Sequence, residues 1–164
     1  MSGGAFQFES GSLADTVALG RTIGALAEVG DVIALDGQLG AGKTQLVRGL
    51  AEGMGLNPRD VSSPTFVFVQ EYASSDEEEA PVLVHIDAYR LASAEQLDSI
   101  GWSDELLDGA VLAVEWAPRI AAALGADRLD IRIEHLGEGH RSITLEASGS
   151  WVSRFAALRA KVTT

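Results

Sequence analysis

The stretch from Asp36 to Gly49, DGQLGAGKTQLVRG, constrains the fold more than any other part of the chain. It matches G-x-x-x-x-G-K-[ST] from Gly37 to Thr44, and it lies between a short apolar run, DVIAL, and a stretch with helical patterning, KTQLVRGLAEGMG. The mechanism of the motif requires that context. Gly37 and Gly42 let the backbone curl so that successive N–H groups face one anion. The helix that follows aims its unpaired N–H groups and positive dipole end at the same point. In such a loop the Lys43 ammonium reaches the β- and γ-phosphates of a nucleotide, and the Thr44 hydroxyl binds Mg²⁺. The motif predicts a strand–loop–helix unit that holds a nucleotide.

The rest of the chain supplies a sheet for that unit. AFQFES reads as a short first strand, and SLADTVALGRTIGALAEVG repeats apolar residues at helical spacing, with Ser12 as N-cap and Gly30 as a stop. PTFVFVQEYA reads as a strand and SSDEEEA as a solvated acidic loop. PVLVHIDAYR and AVLAVEW begin with near-continuous apolar runs, as buried parallel strands do. SAEQLDSIGWSDELLDG suggests one or two short helices, and APRIAAALG another. RLDIRIEHL and RSITLEAS alternate about a glycine-containing turn, which predicts an antiparallel pair, and WVSRFAALRA closes as a helix. The expected fold is α/β and P-loop NTPase-like: a mainly parallel central sheet flanked by helices, with an antiparallel C-terminal hairpin. With 164 residues, 46% of them apolar, and no internal repeat or long linker, residues 1–164 are expected to form a single domain.

Charge narrows the function. The chain carries 24 Asp and Glu against 12 Lys and Arg, a formal net charge of −12. Affinity for nucleic acid comes largely from cations that neutralise phosphates, so autonomous binding to DNA or RNA is not expected. There is no cysteine for a disulfide or thiolate zinc site, no signal-peptide pattern at the start and no apolar run of membrane-spanning length. These features fit a cytoplasmic protein without a membrane partner.

A phosphate loop needs acidic help for its metal, commonly from the end of a neighbouring parallel strand. Asp87 follows VLVHI and Glu115 follows VLAV, so both are placed where ligands collect in open α/β sheets. One would hold metal while the other orients water, and the spacing leaves that division open. Each also reads as a carboxylate that caps a helix or faces solvent. His85, inside a buried strand, reads equally as a structural or a functional histidine, whereas His135 and His140 flank the hairpin at the surface. Trp102 and Trp151 are packing residues, and Trp116 packs either near the site or in the core. In VSSPTF, Pro64 stiffens a turn and Thr65 carries a hydroxyl just before a strand, as a segment that senses a γ-phosphate would.

GQLGAGKT, VSSPTF, HIDAYRL and VEW, in this order and spacing, resemble the TsaE family, also called YjeE. The resemblance covers nearly the whole chain. It implies a bacterial P-loop ATPase required for N6-threonylcarbamoyladenosine formation in tRNAs that read ANN codons, with ATP and Mg²⁺ as cofactors. The implied partners are TsaD, which transfers the threonylcarbamoyl group, and TsaB, its non-catalytic relative, with tRNA met only through that assembly. By position the phosphate cradle is Gly37, Gln38, Leu39, Gly40, Ala41, Gly42, Lys43 and Thr44. Thr44 and Glu115 match the Mg²⁺ ligands, and Asp87 the second acidic position, for metal or water; Lys43, Asp87 and Glu115 form the catalytic set. Ser63 and Thr65 match the switch-like segment, Trp116 the aromatic beside the acid, and residues from Ser12 to Thr16 the adenine pocket. The family commonly reads GKTT, and Gln45 here replaces the second hydroxyl; an amide also donates a hydrogen bond to an α-phosphate.

No arginine is assignable as a finger in cis, although Arg59 and Arg90 lie close to the motif blocks in sequence. Such a group is worth about 10³–10⁵ in rate, so the isolated chain is expected to hydrolyse slowly. Two other readings share the loop. A small-molecule kinase would need a basic lid, and SSDEEEA has the wrong sign. A nucleotide-dependent binding switch would need no hydrolysis.

Overall fold

The computed structural model describes residues 2–38, 40–61, 69–73, 82–89, 91 and 109–163. Seven strands form one sheet: β1 (Ser2–Ser10), β2 (Val32–Gly37), β3 (Val69–Tyr72), β4 (Val82–Asp87), β5 (Ala110–Glu115), β6 (Leu129–Gly137) and β7 (His140–Ser148). Their spatial order is β1-β7-β6-β2-β5-β4-β3. The central strands β6, β2, β5 and β4 run parallel to one another. The flanks are antiparallel: β7 returns from β6 and receives β1 on its outer side, and β3 runs against β4. The C-terminal hairpin was expected; antiparallel strands at both ends of the sheet were not.

The periodicities of the chain explain the layers. Alternate residues of a strand face opposite sides, and β5 shows it with Val111 and Ala113 on one face and Leu112 and Val114 on the other. On the first face lie the helices α1 (Leu13–Leu26), α2 (Lys43–Gly53) and α4 (Val152–Thr163). They bury Leu19, Ile23, Leu46, Val47, Leu50, Phe155 and Leu158 against Ile33, Leu35, Ile131, Ile133, Ile143 and Leu145. On the opposite face a smaller cluster joins Ala34, Val84, Ile86, Leu112 and Val114 to Ile120 and Leu124.

Ser12 caps α1 as expected, its hydroxyl accepting from the Asp15 N–H at 3.2 Å, while the Asp15 carboxylate accepts from the Gly11 N–H at 2.9 Å. That exchange satisfies donors at the helix start that no carbonyl can reach. The helix stops at Leu26 rather than at Gly30. The Asp31 carboxylate takes the Glu28 N–H at 2.6 Å and shapes the turn, where Gly30 has φ +94°. The helix expected in APRIAAALG is shorter than its pattern suggests: a 3₁₀ turn, Ala117–Ile120, passes into one α-turn, α3 (Ala121–Leu124). Pro118 lacks an N–H for regular bonding and Gly125, at φ +73°, ends the turn.

α1 and α2 meet through glycine. A Cβ on Gly20 or Gly24 would lie 2.2 Å from a carbonyl oxygen of α2, and one on Gly49 or Gly53 would lie 2.1 Å from one of α1. The helix that starts at the phosphate-loop motif is seated backbone to backbone on its neighbour.

The segments SSDEEEA and SAEQLDSIGWSDELLDG, apart from Gly109, lie outside the described residues, as do Leu39, Ser63, Pro64, Thr65, Arg90 and Trp102.

Candidate functional site

β2 delivers the chain to Gly37, and α2 starts six residues later at Lys43. Gly42, between them, is left-handed at φ +110°, and a Cβ there would lie 3.0 Å from Arg141 Nε. A Cβ on Gly37 would come within 2.7 Å of the Ile133 carbonyl oxygen. Gly42 excludes a side chain both by its left-handed backbone and by its neighbour, whereas Gly37, still in strand conformation at the end of β2 and not curled as its motif position suggested, excludes one by contact alone. Ala41 is buried, and its N–H bonds the Gln38 carbonyl at 3.0 Å, closing a turn within the loop. No side chain caps α2. Its first N–H groups are therefore open donors at the positive end of the helix dipole, the arrangement that receives an anion.

Lys43 is folded back on this loop. Its Nζ donates to the Gly37 carbonyl at 2.5 Å and the Gln38 carbonyl at 3.1 Å, and lies 4.0 Å from the centre of the Trp116 ring. Burial holds its pKa below the ordinary lysine value, outweighing the opposing pull of Glu115, Asp87 and Asp36.

The carboxylates come from β5, which lies beside β2, and from β4, the next strand along the sheet. Asp87 and Glu115 are paired residues at the ends of β4 and β5. Strand alternation puts both on the face that carries α2, together with His85. Glu115 is buried, with Oε1 3.4 Å from the Thr44 hydroxyl and Oε2 2.5 Å from His85 Nε2. Asp87 is half-buried and accepts from the Tyr89 N–H at 2.9 Å. Its pKa is raised, first by burial and then by the neighbouring Glu115, against the lowering effect of that backbone bond.

Directly after Glu115, Trp116 has φ +60°, the only non-glycine with positive φ among the described residues. Such strain for a bulky residue persists only where its surroundings enforce it. Here it turns the indole across Lys43 and toward Tyr89, whose ring centre is 4.9 Å away. Trp116 thus belongs to the site, and it also packs on the smaller core cluster.

The structure brings Gly37, Gln38, Gly40, Ala41, Gly42, Lys43, Thr44, Asp87, Glu115 and Trp116 together. Gln45 is half-buried in the first turn of α2. Ser12 and Thr16 lie at the β1–α1 junction; Ser12 is the helix cap, and the buried Thr16 hydroxyl lies 2.8 Å from that of Ser10. Arg59 is exposed in a turn beyond the C-terminal end of α2. That helix of 11 residues is about 16 Å long at 1.5 Å per residue, which separates Arg59 from the loop despite its nearness in sequence.

Two residues gain a place in the site, one that its sequence context did not indicate and one that it left open between a structural and a functional role. Arg141, buried on β7, donates from Nε to the Ala41 carbonyl at 2.6 Å, and its Nη1 is buried without a hydrogen-bond partner. A charged residue at the start of an alternating strand was the only signal. His85 is the other. A groove of about 620 Å³ opens beside the loop between Asp36, Gly37, Gln38 and Trp116 and the β6 residues Arg132 to His135.

Among the described residues, no group of three or more His, Cys, Asp or Glu forms a ready cage for a metal. A hydroxyl beside one carboxylate, with a second carboxylate in register, instead suits Mg²⁺. That ion takes hard oxygen donors and is commonly held by one or two carboxylates together with substrate phosphates.

A parallel central sheet with a glycine-rich loop leading into an uncapped helix defines a P-loop NTPase-like protein. The family model described as "Threonylcarbamoyl adenosine biosynthesis protein TsaE" matches residues 10–143, and the chain belongs to the TsaE family. It is 38% identical over 136 residues to the tRNA threonylcarbamoyladenosine biosynthesis protein TsaE of Bacillus subtilis, covering 83% of this chain and 82% of that one. To the protein of the same name from Streptomyces coelicolor it is 42% identical over 117 residues, 71% of this chain and 76% of the other. The crystal structure of Bacillus subtilis YdiB superposes with a TM-score of 0.72 at 29% identity, covering 99% of this chain and 96% of that one.

Proposed function

We propose that this chain binds ATP with Mg²⁺ at Gly37–Thr44 and hydrolyses it slowly. It does so as the ATPase component acting with TsaD and TsaB to form N6-threonylcarbamoyladenosine in ANN-decoding tRNA. The observation that carries the reading is the convergence of Thr44 and Glu115, 3.4 Å apart, at the open N-terminus of α2. The names of its relatives supply the pathway.

In this reading the loop N–H groups and Lys43 hold the β- and γ-phosphates. Lys43 must leave the Gly37 and Gln38 carbonyls to do so, and the phosphate charge favours its protonated form. Thr44 and Glu115 take the metal, and Asp87 orients the attacking water. Held there, Mg²⁺ would supply positive charge to offset that of the phosphate oxygens. Arg141 braces the loop through Ala41. Arg141 is committed to the Ala41 carbonyl and Arg132 is paired with Asp36, so in this reading fast turnover takes a further cationic group from a partner. The chain's own role is then to couple hydrolysis to the partners, with tRNA met through them, consistent with its charge of −12. Among the described residues no helix is long and apolar enough to cross a membrane, and we place its work in the cytoplasm.

The test is ATP hydrolysis by the purified chain with Mg²⁺, alone and with TsaD and TsaB together. Slow turnover alone and clear stimulation by the pair is the expected result. Nucleotide binding without hydrolysis in either condition would replace this reading with a binding switch.

A further inference from the structure

Glu115 has two carboxylate oxygens, and the structure employs them differently. Oε1 takes the Thr44 hydroxyl at 3.4 Å, while Oε2 is 2.5 Å from His85 Nε2. His85 is fully buried in β4. Its second ring nitrogen, Nδ1, lies 3.3 Å from the Tyr72 hydroxyl on β3, and that hydroxyl donates to the Gln70 side chain. The hydroxyl has one proton. With it directed to Gln70, the Tyr72 oxygen still has a lone pair to offer, and the His85 tautomer sets which atom donates at each ring nitrogen. A continuous run of hydrogen bonds therefore links Gln70 on β3 to Thr44 at the start of α2.

The geometry points to His85 as a positioning residue that, with Tyr72 behind it, anchors one Glu115 oxygen so that the other faces Thr44 and the metal. This inference rests on the metal-assisted phosphate site proposed above and concerns how that site is held in place. A glutamate side chain has three torsions, and a carboxylate anchored at one oxygen loses most of that freedom. Groups that orient a metal ligand in this way typically alter metal affinity by about 10–100-fold when removed. A stabilising role explains the arrangement less well. Buried polar pairs are commonly replaceable by apolar residues at little cost in stability, and His85 sits in a sheet otherwise lined there by Leu83, Val111 and Ala113.

The experiment measures ADP affinity by calorimetry on the full chain, in EDTA and across a Mg²⁺ titration. It compares the parent protein with His85→Leu, His85→Gln and Tyr72→Phe, and thermal melting reports folding. His85→Leu should raise the Mg²⁺ concentration at half-effect by about 10–100-fold while leaving the affinity in EDTA unchanged. His85→Gln, which offers an amide N–H near the position of Nε2, should restore most of the response, and Tyr72→Phe should shift the midpoint in the same direction by less. A folded His85→Leu protein with the parental midpoint overturns the inference. If that variant does not fold, a parental midpoint in Tyr72→Phe overturns it instead. An equal loss of affinity with and without Mg²⁺ also overturns it, because the effect would then lie in the loop's packing. If the parent itself binds ADP equally with and without Mg²⁺, the metal-assisted reading falls, and this inference with it.

Discussion

Asp87 and Glu115 end two adjacent parallel strands in register, so two carboxylates share one small, partly dehydrated space. Burial and Glu115 hold the Asp87 pKa above its ordinary 3.8. The sign of the linkage follows. Between 3.8 and the raised folded-state value, the folded chain keeps a proton that the unfolded chain has released, so this group's contribution to stability falls as pH rises through that window. Asp87→Asn keeps the acceptor for the Tyr89 N–H and removes the charge. Without nucleotide or metal it should melt above the parent protein at neutral pH, and the advantage should fade as the pH is lowered toward 3.8. In the same variant hydrolysis should drop by about 10² or more, the usual scale for losing a group that handles the proton of the nucleophile. A variant that melts below its parent at neutral pH would show that the carboxylate is stabilising.

At the scale of elements, the α1–α2 contact admits no side chain at four positions. Gly49→Ala would place a methyl 2.1 Å from the Val17 carbonyl oxygen, and the helices would have to separate. Overpacking of this kind costs about 1–3 kcal/mol. Urea denaturation of Gly49→Ala should show that loss; alanine at Gly55, where a Cβ meets nothing within 4 Å, would instead destabilise through backbone strain at φ +84°. How much of the molecule could be read from its sequence also becomes plain at this scale. The runs VIAL, VLVHI and AVLAV are apolar because both faces are covered, and the β6–β7 alternation reports a strand pair. The motif located the loop, and strand ends located Asp87 and Glu115. Local pattern carries no information about which distant strand lies alongside, so the place of β1 and the direction of β3 were not readable. The same limit hid Arg141 and left the role of His85 open. Each meets its partner across strands, 30 residues away for Glu115 and 100 for Ala41.

At the scale of the whole molecule, the ion pair between Arg154 and Asp31 ties the last helix to the first half of the chain. Arg154 donates to both oxygens of Asp31, at 2.6 and 2.8 Å, and to the Leu26 carbonyl, while its guanidinium lies 4.1 Å from the centre of the buried Trp151 ring. Asp31 is buried, so Asp31→Ala strands a cation and also frees the Glu28 N–H. The expected cost is about 3–5 kcal/mol. Arg21→Ala, which breaks the exposed pair with Glu52, should cost at most about 1 kcal/mol. Chemical denaturation of the two variants side by side checks the ranking, and equal losses would refute it.

The bond from Arg141 to Ala41 also bears on how the protein is made. Pairing across large sequence separations comes late, because a long loop must close before the contact rewards it. As the chain leaves the ribosome, the glycine loop emerges early, but β6 and β7, which flank and brace it, come from residues 129–148. β1 meanwhile stays without its partner β7. The glycine loop is thus encoded near the beginning and completed near the end, and under the proposed function a nascent chain has little capacity to capture nucleotide until almost all of it has been synthesised.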